Sequence, residues 1–536
     1  MAKFKISWIL LVLVSTAVAA APSDSRLVTA AEQQHTEQVR ELVAAGVDVN
    51  TPTADGATAL LWASHWDDLE LVELLLGAGA DVTASEDHGI TPLTMACENA
   101  SFAMVDALLA AGADPDAART NGVTPLMTAS RTGDVGIVEM LLGRGVDVNA
   151  TIPSTGQTAL MWATAERHVD IVQRLIAAGA DLDAQSTIGF TPLLFAARNG
   201  DLKASKVLLD AGAQVNRRGS DGTHALPLAI VSGSADVALL LLERGADPDG
   251  TMFGIAALHA AAGYVDMWLR DWLYDRGSNT MSSSLGPGTP DRVRLVKALL
   301  EHGADPNARI ATSGVSMFYI REPKKGAFET FSVGTGDLKG ATPLWVAAWD
   351  AQGSGYRVSE RPHRPDEVGD VPAGEVLRLL LEGGADWRLT TDDQTTPLMA
   401  AAGLGRASFT PSTARGRRIP EAEAAVRILV EAGAEINAVN EANFTALHGA
   451  AFKGLNEVIE YLVAQGAEID AEDFRGRTAF RMAEGSKQSF QFQMWPETAE
   501  LLASLGADTT LGLRGEDLER QLERDAKVDT AATESR

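Results

Sequence analysis

The residues best suited to binding chemistry are aromatic and basic side chains in the middle of the chain. Tyr264, Trp268 and Trp272 recur every four residues, which places three rings on one face if the segment is helical. Two later stretches supply arginines, namely Arg357, Arg361, Arg415, Arg417 and Arg418. Aromatic and guanidinium groups dominate binding energy at protein interfaces. For the aromatics two interpretations stay open: contact with a partner, or a small core within their own segment.

The sequence does not contain residues at the spacings typical of catalytic, metal-binding or phosphate-binding motifs. The nine histidines do not have metal-ligand spacing, and His65, although close to Asp67 and Asp68, has no second ligand nearby. A glycine-rich stretch from 334 to 340 lacks the Lys-Ser or Lys-Thr of a phosphate-binding loop. Cys97 is the only cysteine, so an intramolecular disulfide is impossible, and we expect a buried, inert thiol. The sequence predicts no catalytic residue, metal or cofactor.

These candidates belong to a chain that repeats one short pattern. Glycine recurs at intervals of 33 or 34 residues at Gly46, Gly79, Gly112, Gly145, Gly179, Gly212 and Gly245. With wider gaps the pattern continues at Gly303, Gly384, Gly433, Gly466 and Gly506. Twelve units can therefore be recognised.

One unit shows how the pattern translates into structure. Thr124 suits a helix N-cap, and Pro125 suits the first helical position because it has no N–H to leave unpaired. Apolar residues at helical spacing between 137 and 142 predict a second helix, which Gly145 ends in a left-handed conformation. Each unit is therefore predicted to be a pair of short helices joined by polar turns.

The pattern resembles the ankyrin repeat over about residues 27 to 509. Its threonine starts stand at Thr58, Thr91, Thr124, Thr158, Thr191, Thr342, Thr396, Thr445 and Thr478. His224 and Ala256 replace the threonine in two units, which puts local capping in doubt there. The first unit lacks the threonine, as expected of a terminal capping repeat. The resemblance implies an all-α repeat solenoid of about twelve helix-turn-helix units with short β-hairpin fingers. It also implies non-enzymatic binding of another protein.

The same resemblance implies that residues just after the signature line a concave face and meet a partner. It nominates His65, Trp66, Arg131, Arg198, Trp349, Phe452 and Lys453. It further implies a structural hydrogen bond from His259 and His448 to the hairpin.

Insertions mark a second candidate surface. The threonine-to-glycine distance is 21 residues in regular units and longer in units eight, nine, ten and twelve. The insertions of units eight to ten are placed at 263–290, 310–338, 350–373 and 403–420, and equivalent positions should emerge on one edge. The alternative function is an exported enzyme or small-molecule receptor built from these insertions. Segments below about 30 residues are short for a catalytic domain, which favours binding.

The two termini and the net charge of the chain give further predictions. Residues 1–20, with Lys3, Lys5, a short apolar run and closing alanines, predict a cleaved signal peptide rather than a membrane anchor. The solenoid is placed at 25–510, followed at 511–536 by a cap helix and a disordered tail. The protein is predicted to be a monomer in the periplasm or outside a bacterial cell. A net charge of −27 argues against nucleic acid as a partner.

Overall fold

The computed structural model describes residues 24–265, 268–269, 289–312, 338–352, 372–404, 419–474, 476–488 and 491–512. Within them the helices are α1 (Arg26–Glu32), α2 (Thr36–Ala44), α3 (Ala59–His65), α4 (Leu69–Gly77), α5 (Pro92–Glu98), α6 (Phe102–Ala110), α7 (Pro125–Thr132), α8 (Val135–Gly143), α9 (Ala159–Ala165), α10 (Val169–Ala177), α11 (Pro192–Asn199), α12 (Leu202–Asp210), α13 (Ala225–Val231), α14 (Ala235–Glu243), α15 (Ala257–Ala262), α16 (Thr289–Glu301), α17 (Pro343–Asp350), α18 (Pro372–Glu382), α19 (Pro397–Ala401), α20 (Pro420–Glu431), α21 (Ala446–Lys453), α22 (Asn456–Ala464), α23 (Ala479–Glu484) and α24 (Pro496–Ser504). Helices therefore dominate, as predicted. None of the helices in these ranges is long and apolar enough to span a bilayer.

The chain divides into two compact units. The first contains the described residues up to Ser154 together with Ala177–Ala180, and the second contains Thr155–Ile176 and the described residues from Asp181 onward. In the first unit the inner helices α1, α3, α5 and α7 pack in sequence, each beside its outer partner. The inner helices of the second unit also pack in sequence, and from α11 onward each lies beside its outer partner; they are α9, α11, α13, α15, α17, α19, α21 and α23. One apolar core runs through the second unit from Met161 to Ala507.

Threonine caps begin the inner helices where the sequence predicted them. All nine threonines of the signature accept a hydrogen bond from a backbone N–H three residues later, as between Thr124 and Met127 N at 3.2 Å. His224 and Ala256 give no such side-chain cap. Nδ1 of His224 instead accepts from the backbone N of Thr251 at 2.9 Å. The predicted N-caps and both departures are confirmed.

Glycine ends the outer helices as expected. The twelve glycines of the repeat all have positive φ, between 77° at Gly46 and 103° at Gly506. Most of them have open space where a Cβ would stand, so the left-handed backbone alone explains the residue type.

The fingers contain less strand than the resemblance implied. In the described ranges strands occur only as two antiparallel pairs, β1 (Thr251–Met252) with β2 (Ile255–Ala256), and β3 (Ser486–Gln488) with β4 (Gln491–Gln493). The second pair lies between α23 and α24, where an insertion was predicted for unit twelve. Other fingers are tight turns joined by single backbone bonds, such as Asp87 N to Asp55 O at 2.8 Å. One such bond per turn is too little to form a sheet.

Candidate functional site

Polar side chains at the ends of four inner helices donate to a carbonyl of the repeat before them. The indole Nε1 of Trp66 donates to Glu32 O at 3.2 Å, and the Asn99 amide donates to Ser64 O at 2.9 Å. Thr132 in the first unit and Asn199 in the second donate in the same way, to Cys97 O and Ala165 O. The last carbonyls of a helix lack an α-helical partner, so these side chains give them a donor from the following repeat. We call them the helix-end donors.

Trp62 and His65 on α3 and Trp66, the residue that caps its carboxyl end, form a group of rings that we call the α3 aromatic cluster. Trp62 is half-buried. The two indole rings are stacked with centroids 6.3 Å apart, and the His65 ring meets Trp66 edge-on at 4.6 Å. His65 is exposed and Trp66 is 42% exposed. The sequence nominated His65 and Trp66 but missed Trp62, although its spacing of four residues from Trp66 was a signal for a shared helix face.

Within the described residues, the indole Nε1 of Trp62 lacks the hydrogen bond that Nε1 of Trp162 makes in a later repeat. Nε1 of Trp162 donates to the Gln157 side chain at 3.2 Å. Trp62 occupies the same position relative to its N-cap, but Ala57 stands where Gln157 would be. Its Nε1 is buried without an acceptor in the described part of the chain.

This contrast gives a stability prediction for the second compact unit. We expect Gln157→Ala to lower the free energy of unfolding by about 1 kcal/mol, because Trp162 Nε1 loses this acceptor. In a Trp162→Phe background, which has no indole N–H, the same change should have a much smaller effect. Denaturant unfolding of the four proteins of this cycle measures the coupling. Equal losses in both backgrounds would show that the hydrogen bond adds nothing.

Arg131 belongs to an ion network in the first compact unit. Glu98 Oε1 lies 2.6 Å from Arg119 Nη2 and 3.7 Å from Arg131 Nη2. The Arg131 side chain is 48% exposed, so its guanidinium also faces solvent. Two guanidinium groups thus share the Glu98 carboxylate.

Arg198 lies on the second compact unit and is exposed. Its guanidinium carbon stands 5.3 Å from the centroid of Phe195 and 5.8 Å from that of Phe190. These rings fix the position of the charge while leaving it accessible to a partner.

Trp268 and Trp349 are core residues, which corrects their nomination as partner contacts. They are 1% and 6% exposed. The Trp268 ring meets Trp345 and Trp349 edge-on at 6.5 and 6.0 Å, and its Nε1 donates to Leu338 O at 3.4 Å. For Trp268 the interpretation as a core residue is therefore the one the structure supports. The reason is that Trp268 closes over the inner helix α17, which carries the other two rings.

Phe452, nominated for the concave face, is also buried, at 2% exposure. Lys453 beside it is half-buried, with Nζ 5.7 Å from the Phe452 ring centroid. Phe452 is therefore not available to a partner.

The other nominated residues lie outside the described ranges and stay predictions. They are Trp272, Arg357, Arg361, Arg415, Arg417 and Arg418. The same holds for the predicted signal peptide, for most of each insertion in units eight to ten, and for the helix predicted after residue 512.

The buried histidines hold backbone carbonyls, as the resemblance implied. Nε2 of His259 lies 3.0 Å from both Ala308 O and Ala341 O, and Nε2 of His448 lies 3.1 Å from Arg477 O. Burial lowers the pKa of His259 to about 4, although its backbone hydrogen bonds act in the opposite direction. Burial also raises the pKa of the Cys97 thiol to about 12, which makes it a poor nucleophile. No group of His, Cys, Asp or Glu within the described residues is arranged to hold a metal ion.

Paired helices, threonine N-caps and left-handed glycines define a helical repeat protein. The family model for ankyrin repeats (3 copies) matches residues 18–86, 65–152, 93–186, 160–252 and 371–473. The chain belongs to the ankyrin repeat family.

Individual relatives share only part of the chain. A transient receptor potential cation channel subfamily A member 1 homolog from Caenorhabditis elegans is 32% identical over 20% of this chain and 7% of its own length. Ankyrin repeat and SOCS box protein 16 from Homo sapiens is 32% identical over 25% of this chain and 26% of its own length. The chain thus matches about a quarter or less of these curated relatives. The crystal structure of the human ASB11 ankyrin repeat domain is 33% identical, with a TM-score of 0.38, and covers 41% of this chain and 98% of that one.

Proposed function

We propose that this protein is a non-catalytic scaffold that binds another protein through its inner helices. One observation carries the proposal. His65, Arg131 and Arg198 each stand seven residues after an N-cap threonine, and all three are exposed in the structure. The repeat therefore presents an exposed charged or polar side chain at this position on α3 and α7 in the first compact unit and on α11 in the second. Ankyrin repeats generally mediate protein–protein interaction, which supports this use of the position.

The proposal also covers the cellular location, the oligomeric state and the binding surface. The protein is exported as a monomer to the periplasm or the outside, and the signal-like residues 1–20 support this. Binding uses the concave face, the insertion edge of units eight to ten, or both. The arginine-rich composition of those insertions supports the second surface. Export is tested by mass spectrometry of the cell-derived protein, which should begin between Ala20 and Pro22; an intact Met1 form would contradict it.

The scaffold proposal is tested by co-purification from the producing cell. We expect the wild-type protein to enrich a specific protein, and we expect Arg131→Ala with Arg198→Ala to weaken that capture. Each removed charge is exposed, so the fold should persist, and circular dichroism checks this. Glu73→Gln, on the exposed surface of the outer helix α4, is the matched control. If no protein is enriched, or if the double variant captures it as well as the wild type, the inner-helix surface is not the binding site.

A further inference from the structure

We propose that the α3 aromatic cluster is the docking site for an arginine or lysine side chain in a basic segment of the partner protein. This inference rests on the proposed scaffold function and names the chemistry of the partner. The cluster offers two stacked indole rings and an imidazole ring, and Trp66 is 42% exposed. A cation is attracted to the face of an aromatic ring, most strongly to that of tryptophan.

The chain itself shows this pairing on other rings. Arg388 stands 4.2 Å from the centroid of Trp387, and Arg427 stands 4.2 Å from that of Tyr461. Arg198 and Lys453 cover phenylalanine rings in the same way. In the described ranges no cation lies over Trp62, His65 or Trp66. The α3 aromatic cluster is therefore a partly exposed aromatic surface without the cation that similar rings receive from within the chain.

The charge around the cluster favours a basic partner. Residues 24 to 154 contain five arginines, no lysine and twenty acidic residues, and no arginine or lysine stands between Arg40 and Arg119. Arg40 is already paired, with Glu70 at 2.6 Å. The sequence around the cluster thus supplies no spare cation, while an incoming one meets an excess of negative charge.

Two acidic residues adjoin the cluster through their backbone. Asp67 follows Trp66 directly, and the backbone carbonyl of Glu32 is the acceptor for the Trp66 indole. Both acidic side chains are exposed, and neither makes an ion pair within the described part of the chain. A cation above the rings can therefore be attracted both by the aromatic faces and by these carboxylates. Such combined recognition is stronger than either contact alone.

Trp66→Asn separates binding from folding. Asparagine is the helix-end donor at Asn99 and Asn199, so it can retain the hydrogen bond to Glu32 O while the ring is removed. Asp67→Asn is a second variant, since Asp67 has a φ of 56° and asparagine tolerates the left-handed region. Glu73→Gln removes one exposed charge from α4 and serves as the control.

The experiment measures binding of the full chain to an arginine-glycine peptide by titration calorimetry at physiological salt. A second peptide carries citrulline, which is planar but uncharged, in place of each arginine. We expect the arginine peptide to bind and the citrulline peptide to bind far more weakly. Trp66→Asn should weaken binding of the arginine peptide about fivefold or more, Asp67→Asn should weaken it less, and Glu73→Gln should leave it unchanged.

Three outcomes would overturn the proposal. The arginine peptide does not bind; the citrulline peptide binds equally well; or Trp66→Asn binds like Glu73→Gln, which would mean that only diffuse charge attracts the peptide. Circular dichroism of Trp66→Asn must match the wild type, and if it does not, Asp67→Asn provides the decisive comparison with Glu73→Gln. Failure here leaves the scaffold function standing if the wild-type protein still captures a cellular partner.

Discussion

Replacing Trp268 by alanine should lower the free energy of unfolding by about 3 to 5 kcal/mol, the usual loss for removing a tryptophan from a core. The ring is 1% exposed and touches Trp345 and Trp349 edge-on, and both contacts disappear with it. The change also removes the donor for Leu338 O. The cavity left between inner helices α15 and α17 would be too large for these elements to close without shifting.

Denaturant unfolding followed by circular dichroism measures this loss. Trp66→Asn is the control, because Trp66 is 42% exposed and the new amide can replace its hydrogen bond; its loss should be about 1 kcal/mol or less. Since stability in repeat proteins is distributed among neighbouring units, hydrogen exchange should show the Trp268→Ala effect most strongly in α15 and α17. Similar losses for the two tryptophan variants would contradict the assignment of Trp268 to the core.

Acidification from pH 7 to pH 4 should destabilise the fold, with His259 alone contributing roughly 3 kcal/mol of the loss. Burial lowers the pKa of this histidine from 6.5 to about 4. Between these values the unfolded chain binds a proton that the folded chain excludes. The stabilising effect is therefore complete above pH 6.5 and is lost as the pH falls to 4. His448, whose pKa burial also lowers, acts in the same direction.

His259→Gln isolates this contribution. The glutamine amide can donate to Ala308 O and Ala341 O, as the imidazole does, but it does not titrate. We expect the variant to lose less stability than the wild type between pH 7 and pH 4, as measured by denaturant unfolding at a series of pH values. Carboxylates elsewhere affect both proteins equally, so the difference between the two curves reports His259. Parallel curves would rule out the buried neutral histidine as a source of acid sensitivity.

The parts of this structure that depend on local sequence were predictable. An N-cap such as Thr124 involves residues only three positions apart, and a left-handed glycine such as Gly145 acts through its own backbone. The repeat pattern therefore specified the helix starts and ends without any knowledge of packing. The family resemblance supplied the roles of His259 and His448, which contact carbonyls far away in the sequence.

The exposure of individual aromatic residues could not be predicted in the same way. Trp66 and Trp349 were both nominated for one surface, yet the first is 42% exposed and the second 6%. The difference arises because Trp268, 81 residues before Trp349, packs against that ring, while in the described residues no ring from a distant segment packs against Trp66. Which ring is buried depends on contacts between repeats, and the sequence pattern of a single repeat does not predict those contacts.

In the first compact unit the hydrogen bonds of the helix-end donors all run from one repeat to the repeat before it. Trp66, Asn99 and Thr132 each reach back toward the amino terminus, so α1, α3 and α5 each receive a donor from the repeat that follows. Deletion from the carboxyl side would therefore remove a donor from the last carbonyls of the new terminal helix, whereas deletion from the amino side would only release a donor to water. The two ends of the array should fray unequally, with the cut carboxyl end opening first.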